Sequence, residues 1–357
     1  MGPVGLHGAE WIPGSPKNFG FILMGELRVV CCEGIGSRVG AMTTGTTEQK
    51  VVVGLGELLW DLLPDGARLG GAPANFAVMA GRLGSRAVAA SRVGTDALGQ
   101  KAREALGGLP VESGFVQSDS EYATGTVTVT LEGGEPEYTI QEPVAWDRLE
   151  LTPEWRELAG EADAVCFGTL AQREEPSRAA ILGFLDATRR ECLRVFDVNL
   201  RAPHWSGEVL RGGLGRATIL KLNAGELRHV LMGTGVCPHP TEAKDDDEIM
   251  RGARRLLERY PVELVCVTLG AQGSLLVTRV EHHRHPGLAA TVKDTVGAGD
   301  AFTAALTHYY LEGAPLAVLN EAGNRWGAWV ASQEGGMPPL GAETLQQVSG
   351  EIGARRE

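Results

Sequence analysis

One carboxylate of this sequence directly follows a glycine-rich turn. In the segment DTVGAGDAFTAAL (294–306), the turn Gly297-Ala298-Gly299 leads into an alanine-rich stretch that is typical of a helix. Backbone N–H groups at such a helix start form a site for an anion such as a phosphate group. Asp300 would repel that anion, so its presence favours a chemical role, namely accepting a proton from an attacking hydroxyl group. The alternative is that Asp300 only caps the helix.

A second polar group lies near the first apolar run. Asp61 stands in the segment GELLWDLLPDG, and LGGAPANFAVMAGRLG (69–84) follows it with Gly70, Gly71 and Asn75. The two glycines allow the backbone to approach a ligand closely. A carboxylate and an amide can each hold two hydroxyl groups, so the pair could bind a sugar. The alternative is that Gly71 and Asn75 only pack a turn.

Motifs for several competing chemistries are absent from the sequence. No GxxxxGK[ST] phosphate loop, HExxH zinc motif or GxSxG nucleophile elbow occurs, and GLGELL (54–59) lacks the third glycine of a dinucleotide fingerprint. His282, His283 and His285 fall in the polar segment VEHHRHPG. We expect these histidines to form a solvated face and not a metal site.

Short apolar runs alternate with helical patterns from Val51 onward. VVVGLGE is β-branched and apolar, as expected for a strand that is buried on both faces. Similar runs follow at 86–94, 163–168, 193–199, 217–223 and 263–270, and helical patterns lie at 73–83, 176–190, 224–232 and 246–260. The alternation predicts an α/β fold with a doubly wound, mostly parallel sheet flanked by helices.

One region breaks this alternation. TGTVTVTLEGGEPEYTI (124–140) alternates Thr and Val, turns at two glycines and continues as a second short run, which predicts a hairpin. We expect a small β-sheet lid over the main domain, built from about residues 61–70 and 110–141. The predicted domain spans 50–340, between a poorly ordered extension at 1–49 and a C-terminal helix and tail at 341–357.

Composition excludes several classes of protein. The 357 residues are 43% hydrophobic and 22% charged, as in ordinary globular proteins, and the net charge of −12 argues against nucleic acid or an anionic membrane as partner. No apolar stretch is long enough to span a membrane, and no basic leader with a cleavage site precedes the apolar residues 21–32. The six cysteines show no CxxC or zinc spacing, which predicts a reducing, cytoplasmic location.

The order and spacing of GGAPAN and DTVGAGD resemble the two signatures of the PfkB (ribokinase-like) sugar kinases. The resemblance covers about residues 50–340 and includes KLNAGE (221–226) and TLGAQGS (268–274). GELLWD, GTLAQR (168–173) and DVNLRAPHW (197–205) look most like the fructokinase group. The N-terminal extension has no counterpart in the family pattern.

The resemblance implies a role for each matching residue. Asp300 would be the catalytic base beside an anion hole at Gly297, Ala298 and Gly299. The acceptor sugar would contact Asp61, Gly70, Gly71, Asn75, Arg173 and Arg201, although a surface role for Arg201 is equally compatible. The nucleotide would contact Asn223, Thr268, Gly270, Gly273 and Asn324. Glu226 would hold Mg²⁺ through water, and Asp294 would either bind a monovalent cation such as K⁺ or only fix its turn.

These residues together predict an ATP-dependent kinase that phosphorylates a primary hydroxyl of a small sugar, with D-fructose as the expected acceptor. Expected partners are ATP, Mg²⁺ and the sugar, and a homodimer through the lid is compatible with the family. One alternative is a kinase for ribose, 2-keto-3-deoxygluconate or a nucleoside. An alternative of another class is an inactive sugar- or nucleotide-binding regulator, against which the intact GAGD turn argues.

Overall fold

A computed structural model describes residues 49–352 of the chain except residue 65, residues 133–134 and residues 240–244. The predicted extension at 1–49 therefore lies, up to residue 48, outside the described residues. In chain order the strands are β1 (Val51–Leu55), β2 (Leu59–Leu63), β3 (Gly66–Gly70), β4 (Arg86–Gly94), β5 (Val116–Asp119), β6 (Gly125–Glu132), β7 (Glu135–Ile140), β8 (Ala164–Phe167), β9 (Leu193–Asp197), β10 (Ile219–Asn223), β11 (Leu264–Thr268), β12 (Ser274–Val277) and β13 (His282–His285).

The helices alternate with most of these strands. They are α1 (Ala72–Arg82), α2 (Ala97–Gly107), α3 (Pro153–Glu161), α4 (Glu175–Ala187), α5 (Gly207–Leu214), α6 (Ala224–Gly233), α7 (Asp246–Arg259), α8 (Ala298–Leu311), α9 (Leu316–Ala331) and α10 (Ala342–Gly350). Short 3₁₀ turns lie at Ala145–Arg148, Leu170–Gln172 and Gly270–Gln272.

The described strands form a large sheet in the order β13-β12-β11-β10-β9-β8-β1-β4-β5. Pairing is parallel from β11 to β5, whereas β12 and β13 are antiparallel. Helices α3 to α7 pack on one face and α1, α8 and α9 on the other, and side chains alternate between the two cores along each strand. The predicted doubly wound α/β architecture is therefore confirmed.

A second sheet in the order β3-β2-β6-β7 lies outside the large one. Its register aligns Asp61 of β2 with Val127 of β6 and Val127 with Ile140 of β7, so these three residues form one row across the sheet. Both predicted segments, 61–70 and the hairpin at 124–140, belong to this small sheet, which we call the lid. Its first strand begins at Leu59.

The prediction that residues 110–124 belong to the lid is wrong for β5. This strand pairs in parallel with Ser91–Gly94 of β4 and so forms the edge of the large sheet. The reason is that β1 covers only one edge of β4, at residues 86–90. The opposite edge is available to β5, which pairs with residues 91–94.

The predicted solvated face at 282–285 is only partly present. His285 is buried, and its Nε2 lies 2.8 Å from Oε2 of Glu321 on α9. His282 is exposed. In the described part of the chain, no cluster of three or more histidine, cysteine or acidic side chains could hold a metal ion. None of the described helices is long and apolar enough to cross a membrane.

Candidate active site

A cavity of about 510 Å³ lies between the lid and the carboxyl ends of the central parallel strands. In an open α/β sheet, ligands bind at this end of the strands. Leu59, Asp61, Val127 and Ile140 of the lid line one side. Among the predicted site residues, the cavity brings together Asp61, Gly71, Asn75, Arg201, Gly297, Gly299 and Asp300. We call it the acceptor cavity.

Asp300 is the buried carboxyl group of this cavity. It lies in the first turn of α8, but the helix is capped by Gly297, so Asp300 is not the cap. Its Oδ2 accepts a hydrogen bond of 2.7 Å from Nδ2 of Asn75. Burial and the nearby Asp197 carboxylate raise the pKa of Asp300 to about 6, although Lys221 and the Asn75 amide favour its charged form. A carboxylate with this pKa is ionised at neutral pH and is still basic enough to take a proton.

The glycine turn before Asp300 leaves little room for side chains. Gly297 has φ of +76°, and a Cβ there would lie 2.4 Å from Cα of Gly336. A Cβ on Gly299 would lie 2.9 Å from Nζ of Lys221. The first N–H groups of α8 have no partner within their own helix, although that of Ala298 donates to the carbonyl oxygen of Thr295 at 3.3 Å.

A buried ion pair beneath this turn was not predicted from the sequence. Nζ of Lys221 lies 3.0 Å from both carboxylate oxygens of Asp197, which also accepts a hydrogen bond from the Thr303 hydroxyl. Lys221 also lines the acceptor cavity. The available signal was positional, since Asp197 ends β9 and Lys221 lies near the end of the neighbouring parallel strand β10.

The two glycines before α1 are required by contacts within the protein itself. A Cβ on Gly70 would lie 2.6 Å from Oδ2 of Asp61. Gly71 has φ of +109°, and a Cβ there would lie 2.4 Å from the carbonyl oxygen of Glu57. Burial raises the pKa of Asp61 to about 6, against the opposing effect of Arg201. Gly70 therefore allows close packing within the lid, and Gly71 allows the close approach of the start of α1 to the backbone of Glu57.

Glu57 is a second cavity residue that the sequence analysis missed. It is 3% exposed and lines the acceptor cavity. Burial raises the pKa of Glu57 to about 7. Its Oε2 and Oδ1 of Asn75 are both buried and have no hydrogen-bond partner among the described residues. The signal in the sequence was an acidic residue inside the apolar segment GLGELLW, directly after β1.

Arg173 lies outside the acceptor cavity. Its guanidinium group makes two hydrogen bonds of 2.7 and 2.8 Å with the buried carboxylate of Asp147 and stacks 4.0 Å above the ring of Trp146. It lines a separate cavity of about 280 Å³ together with His204. In this structure Asp147 holds the guanidinium away from the acceptor cavity, so the contact between Arg173 and the sugar stays a prediction that these contacts do not support. Arg201 lines the acceptor cavity and is exposed.

Three predicted nucleotide residues line a second, open cavity of about 310 Å³. These are Asn223, Thr268 and Gly270. Asn223 caps α6, and its side chain accepts from the N–H of Glu226, while the Glu226 carboxylate accepts from the N–H groups of Asn223 and Leu200. Glu226 is thus largely buried, and each of its carboxylate oxygens accepts a hydrogen bond from a backbone N–H group.

Gly273 and Asn324 do not line either of these two cavities. Gly273 has φ of +87°, and a Cβ there would lie 2.1 Å from the carbonyl oxygen of His285. Nδ2 of Asn324 donates to Oγ of Ser274 at 2.7 Å and to the carbonyl oxygen of Asn320. The described contacts of both residues therefore serve the packing of β12, β13 and α9.

Asp294 is engaged by the protein through both carboxylate oxygens. Oδ1 accepts from the N–H of Val296 at 3.0 Å, and Oδ2 accepts from the N–H of Gly335 at 3.0 Å. Oδ2 also lies 3.5 Å from Nη1 of Arg68 on the lid. These bonds match the alternative in which Asp294 fixes its turn, and they tie the lid to the loop before Asp300.

The chain is similar to known carbohydrate kinases over most of its length. The sequence pattern of the pfkB family carbohydrate kinases matches residues 66–343. The fructokinase of Klebsiella pneumoniae is 35% identical over 71% of this chain and 81% of that protein. The fructokinase-1 of Zea mays is 30% identical over 84% of this chain and 98% of that protein.

Solved structures give the same result. A sugar kinase of Pyrococcus horikoshii in complex with ATP superposes with a TM-score of 0.70 and 27% identity, over 85% of this chain and 99% of that one. The fructokinase of Vibrio cholerae, with fructose, ADP and a calcium ion bound, superposes with a TM-score of 0.68 and 25% identity over the same shares. The geometry and these similarities agree, and the chain belongs to the pfkB family of carbohydrate kinases.

Proposed function

We propose that this chain transfers the γ-phosphoryl group of ATP to a primary hydroxyl of a small sugar, with Asp300 as general base. The observation that carries the proposal is the placement of Asp300. It is a buried carboxylate, held by Asn75, that follows a glycine turn and lines the cavity under the lid. A carboxylate beside an anion site repels the phosphate, and removal of a proton from the attacking hydroxyl is a chemical use that outweighs this repulsion.

The acceptor lies in the acceptor cavity. Asp61 accepts hydrogen bonds from sugar hydroxyls, and Oδ1 of Asn75, which has no protein partner among the described residues, accepts another. D-fructose is the proposed acceptor, since relatives from bacteria and plants at 30–35% identity carry the name fructokinase. Arg201 lines the same cavity and offers a positive charge beside the transferred group.

The nucleotide lies along the ends of the strands toward the second cavity, with Asn223, Thr268 and Gly270 beside it. Asn324 and Gly273 contribute to the nucleotide side indirectly, through the packing of β12, β13 and α9. Mg²⁺, when bound with the phosphates, would neutralise their charge, and Glu226 would contact it through water. We propose that Asp294 fixes its turn and also holds K⁺.

In the transfer step, Asp300 takes the proton of the acceptor hydroxyl as its oxygen attacks the γ-phosphorus, and the bond from phosphorus to the leaving ADP oxygen breaks. A positioned base of this kind contributes about 10²–10⁴-fold. The N–H groups of Gly299 and Asp300 bind the developing charge on the phosphoryl group, where one such donor is worth on the order of 3 kcal/mol. The lid excludes water, which would otherwise act as acceptor.

The direct test is ADP release from ATP over a panel of acceptors, namely D-fructose, ribose, 2-keto-3-deoxygluconate and adenosine. We expect fructose to have the highest kcat/KM. If another acceptor has a kcat/KM about tenfold above that of fructose, a difference of ~1.4 kcal/mol, fructose is contradicted as the acceptor. The proposed kinase activity would still hold. ATP binding without turnover on any acceptor would favour the inactive regulator.

The same panel tests the acceptor role of Asp61. Asp61→Ala should raise KM for the sugar far more than KM for ATP, because the hydroxyls it binds lose a partner. Equal effects on both substrates would place Asp61 away from the acceptor.

We also propose that the lid is the surface of a homodimer. Sedimentation velocity of the intact chain over a range of concentrations is the test. A monomer throughout that range would contradict it.

A further inference from the structure

Glu57 has no role in the reaction described above, yet it lies in the acceptor cavity. It lies two residues after β1, at the carboxyl end of a strand that is paired on both edges, and is 3% exposed. The carboxyl group interacts with the backbone N–H groups of Glu57 itself and of Ala72 at the start of α1. Its Oε2 is buried and has no partner within the described chain. A buried oxygen without a partner is costly, so such groups call for a ligand or a function.

The unpartnered oxygen of Glu57 is matched by that of Asn75. Both residues line the acceptor cavity. The amide oxygen of Asn75 can only accept a hydrogen bond, and Oε2 of Glu57 can only accept one when its carboxyl group is ionised. Asp300, in the same cavity, also accepts. A ligand that satisfies three such acceptors must donate several hydrogen bonds, as a polyol does.

We propose that Glu57 binds the acceptor sugar: Oε2 accepts a hydrogen bond from a hydroxyl other than the one that is phosphorylated. A hydroxyl has a single proton, and in the transfer step the reacting hydroxyl gives that proton to Asp300. Glu57 must therefore engage a different hydroxyl of the same molecule. This inference rests on the proposed kinase function and adds a specificity-determining residue to it.

The charges of the cavity give a second consequence. Glu57, Asp61 and Asp300 supply three carboxyl groups, whereas the Lys221 ammonium is already paired with Asp197. Arg201 is the other cationic side chain that lines the cavity among the described residues. Where Glu57 is ionised, it therefore disfavours an acceptor that carries its own carboxylate next to the Glu57 side chain, and favours an uncharged polyol.

The test is a cycle between Glu57 and the hydroxyls of the acceptor. The kcat/KM of the wild type and of Glu57→Met is measured for D-fructose and for its monodeoxy analogues, or for the deoxy series of whichever sugar the wild type prefers. For the wild type, we expect the kcat/KM of one deoxy analogue to be about 10–100-fold lower than that of the parent sugar. For Glu57→Met, the kcat/KM values of this analogue and of the parent sugar should be nearly equal. If every deoxy analogue shows the same loss of kcat/KM in Glu57→Met as in the wild type, the proposal is overturned.

Asp119→Asn is the matched control. Asp119 is also a buried carboxylate that accepts from backbone N–H groups, but it lies on β5 outside the acceptor cavity. This variant should keep every deoxy penalty of the wild type. If its penalties change in the same way as those of Glu57→Met, the effect comes from general destabilisation and the proposal fails.

Glu57→Gln keeps the test decisive if Glu57→Met does not fold. This variant removes the charge and retains an oxygen for the N–H of Ala72. The ratio of kcat/KM for 2-keto-3-deoxygluconate to that for fructose should rise about tenfold or more, ~1.4 kcal/mol. An unchanged ratio would overturn the proposal. A wild type that turns over no sugar contradicts the kinase function itself, whereas sugar turnover with unchanged penalties contradicts only the role of Glu57.

Discussion

The side chains of the acceptor cavity are arranged for chemistry at the expense of stability. Asp300 and Glu57 are carboxyl groups with 8% and 3% of their surface exposed. Burial raises the pKa of each, because the charged form loses its hydration. A protein that only had to fold would place apolar residues there. The polar character of this cavity is therefore an argument for function at the level of single residues.

The pH dependence of the reaction should report Asp300. Its pKa is raised from 3.8 to about 6, so the base is protonated, and kcat at saturating acceptor falls, as the pH drops below about 6. Asn75→Leu removes a hydrogen bond to the charged form and should move this acid limb to higher pH. Lys221→Met removes an attractive charge and should move it in the same direction. A limb at the same pH in the wild type and both variants would place the titrating group elsewhere.

Glu57 should lower stability where it is ionised. Its pKa is raised from 4.5 to about 7, so the folded state holds the proton more tightly than the unfolded chain. The stabilisation is complete below pH 4.5 and is lost as the pH rises through about 7. Relative to the wild type, Glu57→Gln should therefore gain stability between these pH values, on the order of 3 kcal/mol in total.

Urea unfolding at pH 5 and pH 8 checks this expectation for Glu57. A stability difference between Glu57→Gln and the wild type that does not grow with pH would show that the carboxyl group is not desolvated in the folded chain.

Among the elements, the start of α1 determines how the lid meets the main domain. Gly71 and Gly84 flank α1, and both have positive φ, +109° and +102°. A Cβ on Gly71 would meet the carbonyl oxygen of Glu57 at 2.4 Å, whereas a Cβ on Gly84 would meet nothing within 4 Å. A comparison of alanine substitutions at the two positions therefore separates the effect of backbone strain from that of steric contact.

Gly84→Ala should lower the free energy of unfolding by about 1–2 kcal/mol through strain alone and leave KM for the acceptor unchanged. Gly71→Ala should lower the free energy of unfolding further and raise KM for the acceptor, because α1 carries Asn75 into the cavity. Urea unfolding and steady-state kinetics measure both effects. Equal losses in stability and unchanged kinetics for both variants would contradict this account of the lid junction.

The elements were predictable where their residues repeat a simple pattern. VVVGL, ELVCV and the Thr-Val hairpin predicted β1, β11 and β6, because apolar runs and alternation reflect burial directly. The strand β5 was missed as part of the large sheet, since VQSD has no apolar run and its place depends on the open edge of β4.

The site followed the same rule. Asn75 and Asp300 could be placed at the cavity because glycine-rich turns precede them, and Asp61 because it follows the first apolar run. Lys221 could not, since its significance comes from Asp197 on the neighbouring strand, and neither could Glu57, whose unpartnered oxygen is visible only in the folded chain. The pairing of Arg173 with Asp147 is likewise visible only in three dimensions.

At the scale of the whole molecule, the sheet brings together groups that are far apart in the chain. The hydrogen bond from Asn75 to Asp300 joins residues 225 positions apart. The described residues that line the acceptor cavity are spread from Glu57 to Asp300. The net charge of −12 does not prevent an anion from binding, because the N–H groups at the start of α8 and the side chain of Arg201 act locally.

Deleting residues 1–41 should leave both folding and activity unchanged, because their sequence shows no apolar period and the family match begins only at residue 66. Melting temperature and kcat/KM measure the effect. A deletion through residue 55 is the control, since it removes β1 from between β8 and β4 and should abolish folding. A large drop in melting temperature for the shorter deletion would contradict this expectation.

The most direct test of the central claim is the turnover of Asp300→Asn with the best acceptor, measured together with ATP binding. The substitution keeps the shape of the side chain and removes both the base and a negative charge near the phosphates. We predict that kcat falls by about 100-fold or more while ATP binds as tightly as in the wild type or more tightly. Retention of more than about a tenth of the wild-type kcat would contradict the assignment of Asp300 as the base of a sugar kinase.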